Sequence, residues 1–213
     1  MLVGERMSHP VLTVSPEMSA LDAQAFMRRE HIRRAPVIHD GKLVGIVTEG
    51  DLLNASPTQA TLLSVWEINY LVSKIKVSQV MSKKVMTIDE HTPIEEAARV
   101  MIDNKIGGLP VTRDGKVVGI ITETDLFKIM LEMLGARQVG VRASVLVHNR
   151  AGEIAELSST ISAAGGNIIA LGTFAGDDPS TSELMFKVAG PDEATLRGLL
   201  EPLVLQMKDV RTC

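Results

Sequence analysis

The sequence predicts an α/β chain of the α+β kind, in which a duplicated unit precedes a second domain on the split-βαβ plan. Three observations predict it. Residues 3–55 lie on residues 77–129 without a gap, at a shift of 74 residues. Each copy passes from a helical period to a β-rich hairpin and back. From about residue 140 the pattern becomes β-α-β-β-α-β. With 213 residues, 45 % of them hydrophobic, the chain can bury cores in one or two domains.

Across the shift Met7 pairs with Met81, Thr13 with Thr87, Ala23 with Ala97, Met27 with Met101, and Ile32 with Ile106. Pro36 pairs with Pro110, and an Asp-Gly-Lys follows in both copies. A gapless match of this length marks two copies of one small unit, residues 1–58 and 77–134, and such units bury their apolar faces against each other. In the second copy, "TPIEEAARVMIDNKI" opens with Thr92 as N-cap, Pro93 in the first turn and Glu95 as capping-box acid. Ile94, Ala97, Ala98 and Met101 then share a helical face. "LPVTRDGKVVGIIT" and "APVIHDGKLVGIVT" are β-rich runs around Asp-Gly, which suits a tight hairpin because Gly accepts positive φ. After Thr48 and Thr122 the period turns helical, and a short strand, "VLTV" or "VMTI", leads each copy.

Between the copies, residues 59–76 read as a connecting helix with Leu63, Trp66, Tyr70 and Leu71 near helical spacing. Trp66 there reads as a packing or dimer-contact residue. In the domain over 140–213, Val141, Ala143, Val145 and Val147 alternate on one face of a strand. Ile154, Leu157 and Ile161 form a helical stripe that ends in Gly-Gly. Strands "NIIALGTF" and "ELMFKVAG" flank a polar turn, "PDEATLRGLL" is a helix started by Pro191 and Asp192, and "KDVRT" is a last short strand. Pro202 blurs the end of that helix.

The phrase "GIVTEGDL" at 45–52 returns as "GIITETDL" at 119–126. Thr and Asp three apart at a strand-to-helix junction have two readings. Locally, they are a capping box. Functionally, the helix start offers N–H groups to a phosphate, Thr adds a hydroxyl, and the Asp carboxylate can accept both hydroxyls of a ribose. Repetition of the whole phrase favours the second.

"HIRRAPVIHDGKLVGIVTEGDL" and "KIGGLPVTRDGKVVGIITETDL" resemble the signature of CBS motifs, tandem units that regulate proteins by binding adenine nucleotides. The resemblance covers about residues 1–134. It implies a pseudo-symmetric pair with nucleotide in clefts between the motifs, Thr toward phosphate or ribose and Asp on the ribose hydroxyls. By position it implicates Ile32, Arg34, Pro36, Ile46, Thr48 and Asp51 from the first copy, and Ile106, Pro110, Ile120, Thr122 and Asp125 from the second. The first copy carries Arg33 and Arg34 where the second has Gly107 and Gly108. Arginine forks suit phosphate, so the Arg-bearing site is expected to hold a charged end more tightly. An aromatic content of 3 % agrees with adenine held by aliphatic side chains and backbone.

The C-terminal residues resemble an ACT domain, a ferredoxin-like βαββαβ module that often senses amino acids, through "NRAGEIAEL", "AAGGNIIAL" and the element order. That resemblance implies a ligand site at Asn149, Arg150, Ala151 and Gly152, where Gly152 also reads as a plain tight turn. Two CBS motifs followed by ACT are similar to the acetoin-utilisation CBS-ACT proteins of bacteria.

No catalytic set is visible. The five histidines lack metal spacing, nucleophile-elbow and P-loop patterns are missing, and Asp177 and Asp178 read as a solvated turn. Cys213, the single cysteine, forms no internal disulfide. A net charge of −4 and pI of about 5.8 give no general pull toward nucleic acid or membrane, and no signal or membrane-spanning pattern stands out, so a cytoplasmic location is expected. The expectation is a non-enzymatic, homodimeric regulator that needs no cofactor. It takes AMP, ADP, ATP or S-adenosylmethionine as regulatory ligand and acts on a protein the sequence does not identify. The alternative is a dimeric scaffold whose clefts stay empty or bind weakly.

Overall fold

A computed structural model describes residues 1–55 and 73–213. Residues 59–72 of the expected connecting helix, with Leu63, Trp66, Tyr70 and Leu71, lie outside the described residues. The chain divides into two compact units, Met1–Leu126 and Phe127–Cys213.

The first unit runs α1 (Val3–Arg6), α2 (Ala20–Arg29), β1 (Arg34–His39), β2 (Lys42–Thr48) and α3 (Glu49–Asn54). It continues with α4 (Val77–Val80), β3 (Ile88–Asp89), α5 (Ile94–Asn104), β4 (Gly108–Arg113) and β5 (Lys116–Thr122), then enters α6 (Glu123–Met133). β1 pairs antiparallel with β2 and β4 with β5, in matching register and with a bulge at the same place, Val37/Ile38 and Val111/Thr112. Both Asp-Gly turns are built as expected. Asp40 and Gly41 have φ of 49° and 74°, Asp114 and Gly115 of 50° and 75°, the two successive left-handed residues of a type I′ hairpin. The leading strands shrink to an isolated bridge, Val14 to Val37, and the two residues of β3. Ser19 caps α2 by accepting from Asp22 N at 3.0 Å. Thr92 does not cap α5: Pro93 takes that place with no side-chain bond. Asp89 has already organised the preceding turn, accepting from Thr92 N (3.1 Å) and from His91 N (2.8 Å).

The copies exchange their leading segments. Val3 is fully buried in the core of the second copy, beside Leu109, Val111 and Ile121. Leu2 bridges to Pro93, and Ser8 to Ile120. Reciprocally, Val77 is buried in the core of the first copy with Ala23, Val37 and Val47, while Lys76 bridges to Ser19 and Ser82 to Ile46. Here the repeated glycine of the opening phrase finds a use. A Cβ on Gly45 would stand 2.4 Å from Met81 Sδ, and one on Gly119 would stand 2.2 Å from Met7 Sδ. Each methionine lies on the other copy's strand, and only a residue without a side chain admits it.

The second unit contains β6 (Val141–His148), α7 (Glu153–Ala163), β7 (Asn167–Ala175), β8 (Thr181–Ala189), α8 (Glu193–Leu200) and β9 (Gln206–Thr212). Its antiparallel sheet has the order β7-β8-β6-β9, the split-βαβ plan. Val141, Ala143, Val145 and Val147 face α7 and α8 and join Leu157, Ile161, Phe186, Leu196 and Leu200 in one core. The stripe on α7 is shorter than its spacing suggests. Ile154 is 40 % exposed, and Glu153 is buried instead, its carboxylate paired with Arg150 Nε at 2.6 Å in the first helical turn, where the dipole favours an acid. Pro202 sits in a 3-10 turn, Glu201–Leu203, that lets the chain leave α8. This unit begins at Phe127, inside α6 and ahead of residue 140, because the chain after α6 packs on the sheet: a Cβ on Gly135 would lie 3.0 Å from Ile169 and 3.4 Å from Ala170.

Candidate functional site

The repeated Thr and Asp bond to each other at the start of the helix in both copies, and in the first they form a full capping box. Asp51 Oδ2 accepts from Thr48 N (2.8 Å) and from Thr48 Oγ1 (2.7 Å), while Asp51 N donates back to Thr48 Oγ1 at 3.2 Å. Asp125 Oδ2 accepts from Thr122 N (3.0 Å) and Thr122 Oγ1 (2.7 Å). The first residue of each helix is anchored alike, Glu49 N to Arg33 O and Glu123 N to Gly107 O. The local reading of the motif is therefore real, and it also fixes both carboxylates at a strand end. The bonds from Thr48 converge on Oδ2 of Asp51, which leaves Oδ1 outside the cap.

A cleft of about 470 Å³ opens beside this junction and draws on both copies. Arg34, Ile46 and Thr48 come from the first hairpin, and Asn104, Lys105, Ile106, Gly107 and Gly108 from the end of α5 and the start of β4. Ser82, Lys84, Val85 and Met86 come from the exchanged segment. Lys105 ends α5 in the left-handed conformation, φ 53°. Three cations, Arg34, Lys84 and Lys105, thus line a cleft whose other walls are largely aliphatic. That combination suits an anion attached to an apolar ring.

Of the residues singled out in the sequence, Arg34, Ile46, Thr48 and Ile106 line this cleft together. Asp51 is bonded to Thr48 and is not itself among the residues that line the cleft. Pro36 and Pro110 are buried in their strands, and Ile32 packs on the first core. Ile120, Thr122 and Asp125 sit at the equivalent junction of the second hairpin, where Ser8 bridges to Ile120 and Arg33 donates to Thr124 Oγ1 at 3.2 Å. One expectation needs correcting. Arg34 and the glycine pair do not mark separate sites, since they face each other across one cleft. A Cβ on Gly107 would lie 2.6 Å from the Arg34 guanidinium and 2.7 Å from Glu123 Oε2, and one on Gly108 would lie 2.7 Å from Arg34. The glycines make room for the arginine of the other copy. Burial holds the Arg34 guanidinium below its ordinary pKa, while Glu123 pulls it back up. Sequence reasoning missed Lys84 and Lys105. Their counterparts at the same shift, Pro10 and His31, share no chemistry with them, so the repeat gave no signal.

In the second unit, two of the residues proposed around an amino-acid site are already engaged. Asn149 Nδ2 donates to Pro179 O (3.1 Å), and Arg150 pairs with Glu153 and, at 3.5 Å, with Glu156. Gly152 has φ 91° as the N-cap of α7, so the tight-turn reading accounts for it.

The CBS domain family model matches residues 3–58 and 77–132. Three solved structures resemble the chain. The CBS domain pair of protein MJ0100, in complex with 5′-methylthioadenosine and S-adenosyl-L-methionine, is 29 % identical, with 61 % of this chain and 99 % of that one covered and a TM-score of 0.51. CBSX2 in complex with AMP is 31 % identical over 62 % of this chain and 97 % of its own, TM-score 0.52. A Vibrio cholerae protein named for acetoin utilization, AcuB, is 29 % identical over 65 % of this chain and 96 % of its own, TM-score 0.53. The chain spans 46, 39 and 21 % of the lengths of some curated relatives and more than nine tenths of others. No helix among the described residues is long and apolar enough to cross a membrane.

Proposed function

The chain belongs to the CBS domain family, and on that premise we propose that it is a ligand-sensing regulator that takes a phosphate-bearing adenine nucleotide, AMP, ADP or ATP, in the cleft between its two copies. The observation that carries this reading is the meeting of Arg34, Lys84 and Lys105 in one aliphatic cleft. The phosphates lie on the three cations, the Asp51 carboxylate accepts from the ribose hydroxyls, and Ile46, Val85, Met86 and Ile106 hold the adenine. MJ0100 and CBSX2, which carry adenosine ligands, support the ligand class. A cationic cleft disfavours the sulfonium of S-adenosylmethionine relative to a phosphate. The ligand acts as a regulator only if it binds two arrangements of the protein with different affinity. The C-terminal unit, with its split-βαβ sheet, serves as an ACT-like second sensor, the assembly is a homodimer, and the output passes to a partner protein.

Calorimetric titration with AMP, ADP, ATP and S-adenosylmethionine tests this, with Asp51→Ala and Arg34→Ala alongside. Micromolar binding of a phosphate-bearing ligand that both substitutions weaken supports the sensor. No heat with any of the four overturns it and leaves the scaffold, in which the repeated phrase is only a helix cap.

A further inference from the structure

Among the described residues the C-terminal sheet ends in two edge strands, β7 and β9, and their chemistry is opposite. β9 (Gln206–Thr212) carries Lys208, Asp209 and Arg211, and charge on an edge keeps other strands from adding to it. β7 (Asn167–Ala175) carries none. The charge-free run reaches beyond the strand. Residues 157–176 contain no Asp, Glu, Lys, Arg or His, in a chain of which 23 % is charged. Nor is the run hidden: Leu171 is 40 % exposed and Phe174 53 %, with Thr173 and Ala175 exposed beside them.

A bulge between Ile168 and Ala170 disturbs the start of β7, but from Ala170 to Ala175 its register with β8 is regular. Over that stretch β8 satisfies one side of the strand, and the outward N–H and C=O groups form an open ladder. The Phe174 ring leans over Gly172, where a Cβ would lie 3.1 Å from it, so part of the entropy of ordering the ring is already lost within the strand. Beside the strand a shallow groove continues the uncharged surface, lined by Ser158, Ser159, Ser162, Gly166 and Asn167. The centre of a protein interface has this composition, depleted of charge and enriched in aromatic residues.

We propose that β7 is where a second copy of this chain docks, strand against strand over Ala170–Ala175, so that two C-terminal sheets become one. A strand that meets its own copy across a two-fold axis runs antiparallel to it. No like charges oppose each other there, because the strand has none. A charged edge strand of another protein would have to give up the hydration of its charges here with no partner for them. The homodimer proposed above then uses this surface, whatever the cleft binds.

Sedimentation velocity of the full chain without nucleotide, over a concentration series, tests this with Leu171→Lys, Thr173→Lys and, on the opposite edge, Gln206→Lys. Wild type is expected to dimerise. Leu171→Lys and Thr173→Lys should each raise the dimer dissociation constant about tenfold or more, because a two-fold contact takes each added charge twice and sets the two against each other. Gln206→Lys should leave it unchanged. Thr173 is exposed at the edge, so its variant keeps the test valid if Leu171→Lys loses its fold. A monomeric wild type overturns the proposal and the homodimer with it, leaving the edge to a strand of another protein. A dimer that neither β7 variant weakens, or that Gln206→Lys weakens as much, overturns the proposal alone, since the contact then lies elsewhere.

Discussion

The two copies share a backbone plan and differ in charge. Hairpin register, bulge, turn, the Thr-Asp bond at the helix start and the glycine under a partner's methionine recur at the same shift. The cations do not. Lys84, Lys105 and Arg34 gather at the first hairpin's cleft, and the equivalent positions are Pro10, His31 and Gly108. The features that build the fold occur in both copies, while the charges that line the cleft each occur in one. A duplicated unit therefore separates the residues that build the fold from those that set the charge of the cleft.

That comparison can be broken in four ways, from the largest effect to the smallest. Gly45→Leu and Gly119→Leu should each destabilise by about 3 kcal/mol in urea unfolding, because each evicts a methionine from a packed strand. A large loss in one copy and none in the other would end the claim of structural equivalence. Arg34→Ala or Lys105→Ala should weaken AMP binding about tenfold or more by calorimetry, whereas Arg33→Ala should change it about threefold or less. Equal losses would show that the charge asymmetry does not choose the cleft. Thr48→Val and Thr122→Val should each cost about 1 kcal/mol, the usual loss of an N-cap, measured by denaturant midpoint.

The smallest effect separates the copies by pH. Glu90, 8 % exposed, is hydrogen-bonded by Arg113, which holds its carboxyl below the usual range. The first copy has Pro16 and His39 in those places. The stabilisation is present above the ordinary glutamate pKa of about 4.3 and is lost as pH falls through the lower folded value. Amide exchange should accordingly show β3 and β4 losing protection between pH 5 and 3 more than β1 does, and Arg113→Ala should remove the difference. Arg113 is largely exposed, so the effect is small.

Much of this was legible in the sequence, because both signals involved are local. Asp-Gly between β-rich runs specifies a hairpin through its own φ preferences, and alternation of Val141 to Val147 specifies a buried sheet face. The exchange of leading segments was not legible: Met7 and Met81 repeat whether they pack on their own strand or on the other copy's. Nor was the joint cleft, since Arg34 and Gly108 are equivalent by position and read as rivals until the fold sets them face to face. Ile154 failed for a different reason. At a helix's first turn an acid gains from the dipole, and Glu153 with Arg150 took the buried place that apolar spacing had assigned to Ile154.

The reciprocal seating of Val3 and Val77 also bears on synthesis. Residues 3–8 leave the ribosome long before Ile120, the strand residue they settle against, has been made. The first copy cannot close either until Val77 has emerged. Each half then lacks one of its core residues until the other has been made, and the two cores are completed together. Contacts between residues so distant along the chain make closure slow relative to a helical bundle of equal size. During that wait two apolar strands lie open, and a second nascent chain from the same message offers them identical segments to accept.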